Sequence, residues 1–136
     1  ILKGVHQQQF FLVYQPIFDV GSGTFNKCEA LVRWQHPERG FVAPNEFIPL
    51  AEELGLMSQI DIYVVRTAVE QISRWRLDYA AEFYVSVNIS GRSFSRADFA
   101  DAVLQLLAEF QVPAHYLAIE ITERALRLAP LAITTS

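Results

Sequence analysis

A short Gly21-Ser-Gly23 turn lies between two runs dense in β-branched and aromatic residues, Phe10 to Val20 and Phe25 to Trp34. A connection this short joins two such runs as a hairpin, so the first strand opposes the second. Downstream, helical and strand patterns alternate, so crossover units follow the hairpin. Gln35 to Val42, holding His36-Pro37 and Gly40, reads as a loop. Pro44-Asn45-Glu46 opens a helix that Gly55 breaks, with Phe47, Ile48, Leu50, Ala51 and Leu54 at helical spacing. A longer helix follows, with Ser58 as its cap and Asp61 in its first turn. Its packed stripe reads Ile62, Val65, Val69, Ile72 and Trp75 or Arg76, while Arg66, Glu70 and Arg74 stand four apart for pairing on the wet side.

Phe83 to Ser90 is the third strand. Ser95 is placed to cap a helix over Ala97 to Phe110, which Pro113 prevents from extending. Tyr116 to Ile121 is the fourth strand, and Thr122 is placed to cap a last helix that starts near Glu123 and stops before Pro130. Strands joined through helices run parallel with right-handed connections. An open α/β sheet and the first half of a (β/α)8 barrel both fit this order.

At 136 residues the chain has the length of one domain, and 51% hydrophobic against 19% charged residues marks it as globular. With 11 basic and 15 acidic residues it lacks the basic balance of a DNA- or RNA-binding surface. A small phosphodiester stays compatible, because metal ions and one or two arginines can supply local positive charge. Cys28 is the only cysteine, so no disulfide forms within the chain and a reducing, cytoplasmic compartment is expected. Lying in a strand pattern between Lys27 and Glu29, it reads as a small core hydrophobe. No run approaches the roughly 18 apolar residues of a spanning helix, and the N-terminus lacks the layout of a signal peptide. Ile1 is not a natural start, so a longer parent is expected, and its other segments could anchor it to a membrane.

Three polar signals punctuate the strands: Glu29-Ala-Leu-Val-Arg33, Asn88-Ile-Ser90 and Glu120-Ile-Thr-Glu123. Repeated β-helix-β units bring such positions to one rim of a sheet. Two carboxylates and an amide oxygen there make a cup suited to a hard divalent cation. Glu29 and Arg33 are four apart, which in a strand turns both to one face, and Arg33 would offer phosphate a rigid donor fork. Blander roles exist for each. Arg33 can pair with Glu29 or Glu53, Asn88 suits a turn before Gly91, and Glu123 suits the first turn of a helix. The Glu52-Glu53 pair reads as solvated helix surface, with Glu53 the one able to approach the rim, and His36 reads as structural or solvent-facing.

The longer pattern carries a resemblance. Tyr14-Gln-Pro-Ile17, Glu29-Ala-Leu-Val-Arg-Trp34, His36-Pro37, Gly40, Pro44-Asn-Glu-Phe-Ile-Pro-Leu-Ala-Glu-Glu53, Gly55-Leu56, Asn88-Ile-Ser90 and Glu120-Ile-Thr-Glu123 occur together in the order found in EAL domains. The chain therefore resembles the cyclic di-GMP phosphodiesterases of bacterial signalling. The resemblance implies an α/β fold, the first half of a modified (β/α)8 TIM-type barrel with an antiparallel first strand. It implies a Mg²⁺- or Mn²⁺-dependent enzyme that hydrolyses cyclic di-GMP to linear pGpG by two-metal-ion catalysis. Carried over by position, Glu29, Asn88 and Glu120 resemble metal ligands, and Glu123 resembles the glutamate that steadies the loop of the later metal site. Gln15 and Arg33 resemble contacts to nucleotide and phosphate.

The family's later motifs, an aspartate pair with a glycine, a lysine and further acidic and glutamine positions, have no counterpart in these residues. Residues 1–136 are thus expected to be a partial domain of about four barrel strands, holding one ion or none and inactive alone, whose open half-barrel a homo-oligomer could cover. The parent is expected to carry an upstream sensory or diguanylate-cyclase-like domain. The competing reading is a non-catalytic module of the same fold that binds cyclic di-GMP or a protein partner.

Overall fold

The computed structural model describes Gly4, residues 8–79 and residues 82–121, with the backbone alone for Thr24 and Phe25. Strands β1 (Phe10–Asp19) and β2 (Thr24–His36) form the hairpin, antiparallel from Phe10↔Trp34 to Asp19↔Thr24. Asp19 closes its turn: its carboxylate accepts the Gly21 N–H at 3.1 Å and the Ser22 hydroxyl at 2.9 Å. Gly23 has φ +68°, a left-handed conformation that glycine adopts without a Cβ clash.

The segment expected as a loop is instead part of the sheet. β2 continues to His36, and a short β3 (Gly40–Val42) pairs antiparallel with Trp34 to His36. The reason is local: His36 Nδ1 accepts the N–H groups of both Glu38 and Arg39 at 3.1 Å, which folds the chain back on itself. Proline and glycine here mark a second hairpin turn.

Helix α1 (Pro44–Glu53) starts on a proline at its first turn, where a missing N–H has no helical partner to lose. Helix α2 (Met57–Tyr79) begins one residue before Ser58, so Ser58 is inside it rather than its cap, and it runs past Trp75. Its buried stripe is Ile60, Val64, Val65, Ala68, Val69 and Ile72, while Ile62 is only half-buried. Arg74 pairs with Glu70 at 2.7 Å, whereas Arg66 reaches across to Glu109 at 3.5 Å.

After β4 (Tyr84–Ile89) comes a one-turn helix that the sequence reading missed, α3 (Gly91–Ser95). Ser90 is its cap, accepting the Ser93 N–H at 3.3 Å. Ser95 donates its hydroxyl to the Gly91 carbonyl, so the cap position of α4 (Ala97–Glu109) falls to Arg96 instead. A 3₁₀ turn, Ala114–Tyr116, leads into β5 (Leu117–Ile121). The helix expected from Thr122 and Glu123, and the tail behind it, lie outside the described residues.

The sheet order is β1-β2-β4-β5, with β3 also on β2. β2 runs parallel to β4 from Lys27↔Tyr84 to Ala30↔Val87, and β4 parallel to β5 from Val85↔Leu117 to Ile89↔Ile121. The parallel strands follow each other without reversal, so right-handed crossovers stack their helices on one face. That is barrel-wall topology rather than a doubly wound sheet, whose order reverses at a switch point. The architecture is half of a modified (β/α)8 barrel with its first strand reversed.

Alternation decides the two faces. Phe10, Cys28, Ala30, Trp34, Val85, Val87 and Ile89 turn toward the helices and are at most 7% exposed. On the other face Phe11, Val13 and Ile17 are 42%, 37% and 44% exposed. Phe10 anchors the buried side, stacking on Trp34 at 5.2 Å and meeting Phe47 edge-on at 5.4 Å. Its carbonyl also accepts the Tyr63 hydroxyl at 2.5 Å. Phe10→Ala is expected to lower the unfolding free energy by about 3–5 kcal/mol. Chemical denaturation checks this, and a loss under about 1 kcal/mol would show that the hairpin does not depend on that cluster.

Candidate active site

Register assembles the polar face. Glu29 pairs across β1 with Gln15 and across β4 with Ser86, and Asn88 pairs with Glu120 on β5. Paired positions share a face and every second residue returns to it. Gln15, Glu29, Arg33, Ser86, Asn88 and Glu120 therefore occupy the face opposite Cys28, Ala30, Val85 and Val87. Asn88 and Glu120 each sit one residue before the end of their strands. Glu29 lies one pleat lower, level with Ser86, because the second hairpin carries β2 seven residues beyond it. Strand spacing and rise put the backbones of Asn88 and Glu120 about 5 Å apart and those of Glu29 and Asn88 about 8 Å apart.

Arg33 is half-buried and donates a guanidinium N–H to the Val32 carbonyl at 2.9 Å. It lines a mostly apolar cleft of about 210 Å³ with Pro44, Ile48, Glu52, Asn88 and Ser90. The cleft has a backbone origin. β4 pairs with β2 only as far as Ala30, and β3 takes up the same edge at Trp34. Among the described residues, Leu31 to Arg33 thus have no strand on that edge, and the opening faces α1 and α2. Glu52, read from sequence as helix surface, belongs to this cleft, while Glu53 is exposed.

Glu120 lines a separate hollow with Lys27, Ser86 and His115, and Gln15 is exposed. The structure thus joins Arg33 and Asn88 in one cleft and places Glu29 and Glu120 on the same sheet face outside its lining. Glu123 lies outside the described residues. Among the described residues, no three His, Cys, Asp or Glu side chains form a cation-binding group. The donor set on this face instead mixes two carboxylates with the Asn88 amide. Beside it the Ser86 hydroxyl is buried with no hydrogen-bond partner among the described residues, a polar atom left for an occupant or water to satisfy.

Sequence reasoning missed Asp61. It is the fifth residue of α2, 1% exposed, and points inward rather than toward the helix start. Its Oδ2 accepts both the Ser90 N–H at 3.2 Å and the Ser90 hydroxyl at 2.7 Å. Burial pushes its carboxyl above the ordinary range, opposed by hydrogen bonds from Ser93 and Ser90. The available signal was the interruption of a helix's apolar stripe by an acid level with Ile60 and Val64.

Cys28, next to Glu29 in sequence, faces the helix layer, and burial raises its thiol pKa to about 11. This agrees with its reading as a core residue. At pH 8 a thiol-specific reagent is expected to modify Cys28 at least about a hundredfold more slowly than a free cysteine. Labelling at the free rate would place the thiol on the open face.

Parallel strands in unreversed order with an oxygen-rich face place this half-barrel in the class of (β/α)8-type folds, with Asn88 and Glu120 near the C-terminal ends of their strands. The EAL domain family matches residues 1–134, and the chain belongs to that family. It is 34% identical over 120 residues to the cyclic di-GMP phosphodiesterase PA2567 of Pseudomonas aeruginosa, covering 88% of this chain and 20% of that protein. It is 34% identical over 121 residues to the bifunctional diguanylate cyclase/cyclic di-GMP phosphodiesterase MucR of the same species, covering 89% of this chain and 18% of that protein. Among solved structures, the PaMucR phosphodiesterase in complex with c-di-GMP superposes with a TM-score of 0.84 at 34% identity, over 96% of this chain and 53% of that one. The chain thus spans about a fifth of the curated relatives and about half of the solved domain.

Proposed function

We propose that this chain is part of an enzyme that hydrolyses cyclic di-GMP to linear pGpG. The observation that carries the proposal is the shared face of Glu29, Asn88 and Glu120, fixed by pairing through β2, β4 and β5 in a chain of the EAL family. Glu29, Asn88 and Glu120 would hold a divalent cation. Two hard carboxylates and a neutral amide oxygen suit Mg²⁺ or Mn²⁺, and the unpartnered Ser86 hydroxyl beside them suits a polar occupant. A pair of such ions, when bound, supplies Lewis acidity and charge compensation at the phosphodiester.

The protein's own groups do the rest. Arg33, at the mouth of the apolar cleft, orients phosphate through its donor fork. Gln15 contacts the nucleotide, and Glu123 steadies the loop that carries the later ligands. The cleft between β2 and α1 offers a nucleobase an apolar wall and excludes water from it. We assign the remaining site residues to a second half of the domain outside residues 1–136, and regulatory sensory or cyclase-like regions to the parent, as MucR's bifunctional name suggests for that relative. Among the described residues no helix is long and apolar enough to cross a membrane. A cytoplasmic setting suits the nucleotide substrate and the single reduced thiol.

In the protein carrying the complete domain, Glu29→Gln and Asn88→Ala are each expected to lower formation of linear dinucleotide at least about a hundredfold, with the fold intact by circular dichroism. Near-normal turnover in both variants would remove these residues from the site. The isolated 136-residue chain is expected to stay below about 1 turnover per second and to self-associate through the face bearing Phe11, Val13 and Ile17. Product assays with Mg²⁺ and sedimentation at micromolar concentration check both, and an active monomer would contradict the partial-domain reading.

A further inference from the structure

The carboxyl of Asp61 is inside the protein, yet among the described residues it forms no ion pair. It accepts hydrogen bonds from Ser90, just past the end of β4, through both the amide and the hydroxyl, with the Ser93 hydroxyl 3.2 Å from that of Ser90. Buried carboxylates are costly to keep, and an aliphatic side chain would fill this place between Ile60 and Val64 at lower cost. What the carboxyl does is specific. β4 ends at Ile89, so the Ser90 N–H has left the ladder, and Asp61 supplies its acceptor. The Ser90 hydroxyl, held by Asp61, in turn caps α3 by accepting the Ser93 N–H. One carboxyl on α2 thus fixes the point where β4 turns into α3.

Asn88 is two residues before that point, on the site face, and it shares the cleft with Asp61, Ser90 and Arg33. We propose that Asp61 is a positioning residue: acting through Ser90, it sets the height and twist at which Asn88 presents its amide oxygen to the cation. The proposal rests on the assignment of Asn88 as a ligand given above. Groups that hold a ligand's backbone or side chain in place influence affinity as well as turnover, typically 10–100-fold. Asn at position 61 keeps one acceptor oxygen but replaces the other with a donor. Asp61→Leu keeps the branching at Cγ, removes both oxygens and is bulkier.

The test measures Mn²⁺ binding by calorimetry in the protein carrying the complete domain, alongside thermal melting and steady-state kinetics. Asp61→Asn and Ser90→Ala are each expected to weaken Mn²⁺ binding about tenfold and to lower kcat with little change in KM. Asp61→Leu is expected to weaken binding further and melt earlier. Val69→Ala, which opens a cavity about two turns beyond Asp61 on the same helix, should lower the melting temperature while leaving Mn²⁺ affinity unchanged. If Asp61→Asn and Ser90→Ala bind Mn²⁺ as tightly as the parent and shift only the melting temperature, Asp61 is structural and the proposal fails. If Asp61→Asn does not fold, Ser90→Ala alone decides between the same two outcomes. Absence of Mn²⁺ binding by the unaltered protein overturns the assignment of Asn88, and the role of Asp61 with it.

Discussion

Cys28 and Glu29 are neighbours in sequence with opposite environments, and the pairing of β2 along both edges keeps them so. β1 holds one edge of β2 along nearly its whole length, and β4 holds the other from Lys27 to Ala30. A slip of one residue would drive Glu29 into the helix layer and bring Cys28 and Ala30 to the open face. The Phe10, Trp34 and Phe47 cluster resists that slip, because its rings fit only one alternation. Packing on one face thus sets the chemistry of the other, and no contact between the polar residues themselves is needed to gather them.

This explains why so much was legible in the residues. The Gly21-Ser-Gly23 turn specified the hairpin, and strand alternation gave Glu29 and Arg33 a common face before any partner strand was known. The elements that escaped notice are those made by side chains acting on backbone. β3 exists because His36 captures two amides, and α3 exists because Ser90 caps it. Neither effect has a periodicity to detect. The height of Glu29 was also hidden: the motif gives its face, but the level relative to Asn88 comes from parallel register, which the sequence of one strand does not contain.

Asp61 and Glu52 illustrate a different limit. Both lie on helices, where acids ordinarily mark the wet side, and both turn toward the cleft instead. For Asp61 the cause is the end of β4, whose first unpaired amide creates a demand that only a side chain from another element can meet. Such a demand becomes visible when the layers are packed. The cleft has a similar origin, in three residues of β2 left between two partner strands, so a gap in the sheet supplies the room that site chemistry uses.

The reversed first strand has a consequence for how the chain reaches this state. Asp19 and Thr24 meet across a tight turn, whereas Lys27 meets Tyr84 only after two whole helices have been laid down. Closure entropy rises with the length of intervening chain. The hairpin can therefore zip from its turn while the ribosome is still adding α1 and α2. Once formed, it offers β4 a ready template edge, so assembly of the wall becomes docking onto a rigid ribbon rather than a search between loose strands.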